Sequence, residues 1–531
     1  MSALDSQARR PLQAILVAWA GLAGLIAWRF AGRATDDIYV TYRYAANLAR
    51  GQGFTFNPGE RVFGLTDPGV GVLLAAGHRL TGLPIPLLGT VATALALWGL
   101  AALLLAESAE RGRAPEGMAA GTLLVTSGYL WTAQGSGPLF ALLLLVGSAR
   151  LAVAAPGEPA AGAAGVAGRN YAVDAAAGLL AGLAFCCRPD AALGVALLGL
   201  LLLAERRRLP WAWGAAAAAV MLAGMAAAWA SFGTLLPNTL AAKRAFAAFN
   251  AVAAEASGRP AVEFWKGAWE QWRGYEGRFA VLLLAIGLLG LPVLLRQGGR
   301  AGRLLAASGL TLAAAYTLLQ VPFFLWYLVP TVAALLVGLP WGLGAGVRWV
   351  WRVQITGPSR VALGACLAAA FLFVAAALWA SGRWFSRGAA GDWRLPAYSQ
   401  AGLWIRDHSA PGDPQADIAL EEIGILGYFS ERPVSDLMGL VTPRSVPYAA
   451  QGDLIGAFLA KPTEFLVHHT FTFRGGTRPI LTRPWFAAAY EEVARFDLPE
   501  EGGAIEVYRR RPGAKIPKPR PPRSHRPEPP V

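Results

Sequence analysis

Two neighbouring carboxylates, Asp36 and Asp37, open a run of aromatic and basic residues that continues through Tyr39, Tyr42 and Arg43 to Arg50. A carboxylate beside a hydroxyl can take its proton as the oxygen attacks, help that contributes typically ~10²–10⁴-fold. Arg and Lys can hold a phosphate and stabilise it as it leaves. Tyr and Trp offer flat faces with one polar edge, suited to sugar rings at an interface. The cations set apart for a phosphate are Arg43, Arg188 and Lys243. The residues set apart for the rest of a substrate are Tyr39, Tyr42, Asp67, Asn238, Trp326 and Tyr327. Acid, cation and aromatic together describe transfer of a sugar from a lipid phosphate.

Each of these residues also has a plainer role. Asp before a helix is an ordinary N-cap, and a second acid there suits the positive end of the helix dipole. Arg188-Pro189-Asp190 reads equally as a turn between two helices in which Arg and Asp pair. Pro237 with Asn238 or Thr239 reads as a helix entry, and Lys243 as a snorkelling side chain. Trp326-Tyr327 fits an interfacial aromatic belt. His468 and His469 lack the spacing of metal ligands. A divalent cation between Asp36 and Asp37 stays open, and no other cofactor is called for. The sequence has neither a glycine-rich nucleotide loop nor a Ser-His-Asp pattern.

The elements that must position these residues are set by composition. The 531-residue chain is 55% hydrophobic and 15% charged, the balance of a polytopic α-helical membrane protein. Its net charge of +14 does not imply nucleic acid, because the Arg residues lie between apolar segments and in the tail. Segments apolar enough to span run approximately 11–28, 86–106, 118–133, 138–154, 172–187, 190–204, 211–232, 279–296, 303–320, 325–346 and 361–381. The first, preceded by Arg9 and Arg10, is expected to be an uncleaved span. Residues 69–83, less apolar, are expected to lie on the membrane surface.

With the N-terminus inside, every short inner connection carries Arg, as orientation by Lys and Arg requires. The acid loop, the Gln134–Pro138 turn, the Arg188 turn, the loop after Phe232 and the Phe323–Tyr327 stretch then open outward together. Residues 1–381 therefore read as a membrane domain whose outer loop 29–85 carries the acid pair. Residues 382–508, with strand-like runs at 417–420, 433–437, 464–467 and 504–508, read as a small α/β domain outside the membrane. The Pro, Arg and Lys residues of 509–531 read as a disordered tail. Cys186, Cys187 and Cys366 fall in apolar runs and form no disulfide framework.

The stretch TDDIYVTYRYAANLARGQGFTFNPGERV resembles the first outer loop of polyprenyl-phosphate-dependent glycosyltransferases of the GT-C fold. The likeness is nearest to the mycobacterial-type terminal arabinofuranosyltransferases and their bacterial relatives. FGTLLPNTLAAK, GLAFCCRPDAAL, WYLVP and IGILGYFSERPVSDLMGLV resemble recurring stretches of the same group, so the likeness runs from about residue 11 to about residue 470. It implies an inverting transferase of the bacterial cytoplasmic membrane, with its active site and C-terminal domain outside the cytoplasm. The donor would be a polyprenyl-phosphate sugar, and the acceptor a hydroxyl on a glycan, lipid or protein of the envelope. Asp36 or Asp37 would be the general base, and Lys243 would hold the donor phosphate. The chain departs from the group at Phe63 and at Ser136, where relatives carry glutamates. A lipid-linked sugar flippase is one rival, though the spans lack mid-membrane ionisable groups. A non-catalytic glycan-binding subunit is the other.

Overall fold

The computed structural model describes residues 6–152, 164–245, 260–276, 280–352, 392–410, 416–470, 476–498 and 503–522. The chain forms two compact units. The first comprises Met1–Ala34, Asp67–Ala227 and Ala261–Gly391. The second comprises Thr35–Thr66, Ala228–Pro260 and Asp392–Val531. This division differs from a cut at residue 381, because the acid loop and the loop after Phe232 group with the C-terminal residues.

The first unit is helical, a multi-pass membrane bundle. Its helices are α1 (Ser6–Phe30), α3 (Pro68–Thr81), α4 (Ile85–Glu110), α5 (Ala114–Thr126), α6 (Gly128–Thr132), α7 (Gly137–Leu151), α8 (Ala164–Cys187), α9 (Ala192–Arg206), α10 (Trp211–Phe232, which ends in the second unit), α11 (Pro260–Glu276), α12 (Ala280–Gln297), α13 (Arg300–Leu318) and α14 (Val329–Arg352). Among the described residues, five stretches, 10–30, 85–110, 211–232, 280–297 and 325–349, are long and apolar enough to cross a membrane. Every expected span up to 325–346 coincides with a helix or, at Ser127, a broken helix pair; 361–381 lies outside the described residues.

α12 and α14 approach closely because glycines face each other. A Cβ on Gly290 would sit 1.9 Å from the carbonyl oxygen of Gly338. Small residues allow this approach, and dispersion between helices replaces the hydrophobic drive that lipid cannot supply. One end of the bundle is laced by ion pairs. Arg150 pairs with Glu110 at 2.7 Å, Arg300 with Glu205 at 2.7 Å, Arg206 with Asp174 at 2.5 Å, and Arg348 with Glu116. Among the described residues, six arginines of the expected inner connections, Arg113, Arg150, Arg206, Arg300, Arg303 and Arg348, pair with acids.

The second unit is built around a mixed five-stranded sheet in the order β2-β1-β3-β5-β4. Its strands are β1 (Ile418–Leu420), β2 (Val434–Asp436), β3 (Phe465–His469), β4 (Tyr490–Leu498) and β5 (Gly503–Arg510). β1 pairs parallel with β2 and β3, and β5 pairs antiparallel with β3 and β4. The three short strands are buried along their length and fall on strand-like runs seen in the sequence. β4 escaped that reading because its pattern is polar, with exposed Glu491 and Glu492.

Helices α2 (Asp36–Ala49), α15 (Leu395–Asp407) and α16 (Gly424–Ser430) belong to this unit. The tail is ordered further than its composition suggested. β5 runs to Arg510, and Ala514 and Ile516 pack against the core of Leu437, Phe458, Leu466 and Tyr490. Residues 523–531 lie outside the described residues.

Candidate active site

α2 is bound to the C-terminal segment along its length. Arg43 is 3% exposed, and its guanidinium donates to the carbonyls of Phe56 at 2.7 Å, Arg432 at 2.6 Å and Gly427. Burial lowers its proton affinity to about 9, but the carbonyls on three sides keep the cation compensated. Asn57 treats the edge strand β2 as a strand would: its amide donates to Val434 O at 2.9 Å and accepts from Val434 N at 2.9 Å. An open sheet edge is thereby closed by a side chain.

The N-terminus of α2 carries the acid pair, and the two acids have different surroundings. Thr35, the residue before the helix, makes no side-chain cap. Asp392 replaces it, accepting the backbone N–H of Asp36 at 3.0 Å. Asp36 in turn caps α16: its carboxylate accepts Gly424 N at 3.1 Å and Ile425 N at 2.7 Å. Each helix is capped by an acid from the other segment. Such a cap contributes about 1 kcal/mol.

Asp36 is buried, and desolvation, with Glu422 next, pushes its proton affinity well up. Asp37 is exposed at its surface. Protein still crowds it closely enough that desolvation raises its proton affinity, while Lys243 and Arg394 pull the other way.

Lys243 reaches this neighbourhood because residues 238–245 are helical and Asn238 anchors their start. The Asn238 amide donates to Gly439 O at 2.6 Å and Leu440 O at 2.8 Å, and its backbone N–H donates to Phe63 O at 2.7 Å. Phe63 stacks on Phe232, with ring centroids 4.4 Å apart. An aromatic pair therefore fills the position of one departure from the resembled group.

Several residues set apart for substrate are inward-facing instead. Tyr39 and Tyr42 are 1% and 0% exposed and pack with Tyr428 and Phe429, so they present no face to a sugar ring. Their aromatic character marked a helix-packing surface. Arg43 has its donors on carbonyls and Asn238 its amide on backbone, which removes both from direct contact with substrate. Sequence reading missed Asp392, Arg394 and Glu422, because nothing local marks charged residues far along the chain as neighbours of residue 36.

In the first unit a second set gathers. Arg188 is 3% exposed and lies 3.0 Å from both Asp67 and Asp190. Asp67 also accepts Gly137 N at 2.9 Å, and Tyr316 donates to Asp190. The Gln134–Pro138 turn, the Arg188 turn and the Phe323–Tyr327 stretch do therefore meet at one place in this unit. Arg188 faces two carboxylates, so the cluster carries no surplus positive charge for a phosphate. The Arg–Asp turn is what the structure forms, with Asp67 as a further partner.

Beside the cluster is a small pocket walled by Leu142, Leu145 and Leu312 and bordered by Arg188, Trp326 and Tyr327. Ser136 is buried and donates to Ala133 O at 2.5 Å. Among the described residues, no group of three or more His, Cys, Asp or Glu is arranged to hold a metal ion. Both Asp36 oxygens already face backbone N–H groups.

Solved structures share this architecture. ArnT from Cupriavidus metallidurans bound to undecaprenyl phosphate superposes with a TM-score of 0.57 at 12% identity, over 94% of this chain and 99% of that one. The archaeal oligosaccharyltransferase AglB from Archaeoglobus fulgidus, in complex with an inhibitory peptide and a dolichol-phosphate, gives 0.54 at 12% identity, over 87% and 70%. The fold is GT-C. Within the GT-C fold the chain carries a C-terminal sheet domain, and residues 389–511 match a domain of unknown function (DUF8728). No curated protein sequence matches the chain.

Proposed function

We propose that this chain is an integral-membrane inverting glycosyltransferase that moves a sugar from a polyprenyl-phosphate donor to an acceptor hydroxyl, with Asp37 as the general base. The observation that carries this reading is the division of labour between neighbouring acids. Asp36 is engaged on both oxygens as a helix cap, whereas Asp37 is open at the surface beside the charges of Lys243 and Arg394. In the reaction, the acceptor oxygen forms a bond to the anomeric carbon from the face opposite the phosphate. Its proton passes to Asp37. The bond from the anomeric carbon to the phosphate oxygen breaks, and the lipid phosphate leaves with the electron pair. Lys243 is assigned to that developing charge. Solved structures of the same fold hold undecaprenyl phosphate and dolichol-phosphate, which supports a polyprenyl-phosphate donor. We place the protein in a bacterial cytoplasmic membrane with this site on the outer side.

The test is turnover of a panel of polyprenyl-phosphate sugars by the purified chain in lipid. Asp37→Asn is expected to lose on the order of 10²–10⁴-fold in kcat. Asp36→Asn keeps an acceptor oxygen for the α16 N-terminus and is expected to retain activity within roughly tenfold of wild type. Near-complete loss in Asp36→Asn with Asp37→Asn active would overturn the assignment.

A further inference from the structure

Asp36 is held by a circuit of hydrogen bonds that runs through the C-terminal segment and is closed by the chain between Glu422 and Gly424. It starts at the backbone N–H of Asp36, which donates to Asp392 Oδ2 at 3.0 Å. Arg394 grips Asp392 with both arms of its fork, Nε to Oδ1 at 2.8 Å and Nη2 to Oδ2 at 2.7 Å. The remaining terminal nitrogen of Arg394 pairs with Glu422 Oε1. Glu422 Oε2 accepts the Tyr398 hydroxyl at 2.9 Å. Two residues further on, Gly424 and Ile425 donate their N–H groups back to the Asp36 carboxylate. The circuit therefore closes on the residue where it began.

This fixes the first turn of α2 from outside that helix. Side chains on a helix follow its backbone, so locking the N–H and carboxylate of Asp36 sets the direction in which Asp37 projects. The circuit also crosses the chain, from residue 36 to residues 392–425, so α2 cannot adopt this geometry alone.

We propose that the C-terminal domain completes the catalytic centre, with Arg394 and Glu422 as positioning residues that hold Asp37 through the N-terminus of α2. This rests on the reading of Asp37 as the base. It assigns to the domain a part in the reaction. The charges facing Asp37 are Lys243 from the 238–245 helix, Arg394, Glu422 and Asp392 from the C-terminal segment, and Asp36 beside it. Of these, Arg394 and Lys243 favour the ionised carboxylate and Glu422 and Asp392 oppose it.

The opposition of signs makes the test. Where turnover depends on ionised Asp37, activity rises with pH through an acid limb. Glu422→Gln removes a negative charge and is expected to move that limb down by about one pH unit. Arg394→Gln removes a positive charge and is expected to move it up by about one unit. Arg394→Lys keeps the charge but loses the fork, so kcat falls about tenfold or more while the limb stays in place. The measurement uses the full chain in lipid with whichever polyprenyl-phosphate sugar supports turnover.

A purely structural role would lower activity at every pH in all three variants without opposed shifts, and that result overturns the inference. Unmoved limbs together with an inactive Asp37→Asn variant would do the same while leaving the functional reading intact. Active Asp37→Asn, or wild type silent with every donor, would overturn the functional reading itself.

Discussion

At the scale of single residues, adjacent acids of the same type have different surroundings. Composition makes Asp36 and Asp37 equivalent, and only their neighbours separate them. Gly424 is the residue that allows this separation. A Cβ at that position would stand 1.8 Å from the carbonyl oxygen of Asp36, so the glycine is needed for close approach of two backbones. Gly424→Ala is expected to force α16 away from α2 and to lower the thermal unfolding midpoint measurably, with loss of at least one of the two N–H bonds to Asp36. Stability unchanged in that variant would mean that the two helices do not pack as described. The pair spacing in TDD was legible from sequence; the need for glycine opposite it was not, because the contact joins residues 36 and 424.

At the scale of elements, the short helix 238–245 is positioned by its first residue. Asn238 donates to two carbonyls of the 436–441 turn, a turn held by Asp436, which accepts Met438 N at 2.8 Å and Val441 N at 3.1 Å. Burial pushes the Asp436 carboxyl up to about 6, against these hydrogen bonds. Asn238→Ala leaves the carbonyls of Gly439 and Leu440 short of a donor, a change that costs about 1–3 kcal/mol. Because Lys243 rides on the same helix, the variant is also expected to raise KM for donor more than for acceptor. An unfolding midpoint and donor KM equal to wild type would separate Asn238 from Lys243. The PNT sequence announced a helix start correctly in kind. It could not reveal that the anchor is backbone two hundred residues away.

Across the whole molecule, charge and hydropathy were legible in advance and side-chain partners were not. Apolar segments identified the helices through 325–346 because a bilayer demands length and apolarity from each span in isolation. Of the arginines expected to orient the bundle, Arg113, Arg150, Arg206, Arg300, Arg303 and Arg348 are paired with Glu110, Glu116, Asp174 and Glu205 in the first unit. Orientation is testable directly. Arg111→Cys, at an exposed position in the 107–116 connection, is expected to react with an impermeant maleimide only once cells are opened. Labelling of intact cells would place this end outside and reverse the proposed side of the site.

The sequence alone determined most of the elements: helices from hydropathy, most strands from strand-like runs, and an acid pair set among cations and aromatics. These are local properties, readable within a window of a few residues. Tertiary structure decided which acid is occupied and which is open, that Arg43 and Arg188 are compensated by carbonyls and carboxylates, and that Tyr39 and Tyr42 face inward. It also brought Asp392, Arg394 and Glu422 to the start of α2. The physical reason is that a side chain's role follows from what satisfies its charge and hydrogen bonds, and for Asp36 and two of the three carbonyls on Arg43 those partners lie hundreds of residues away.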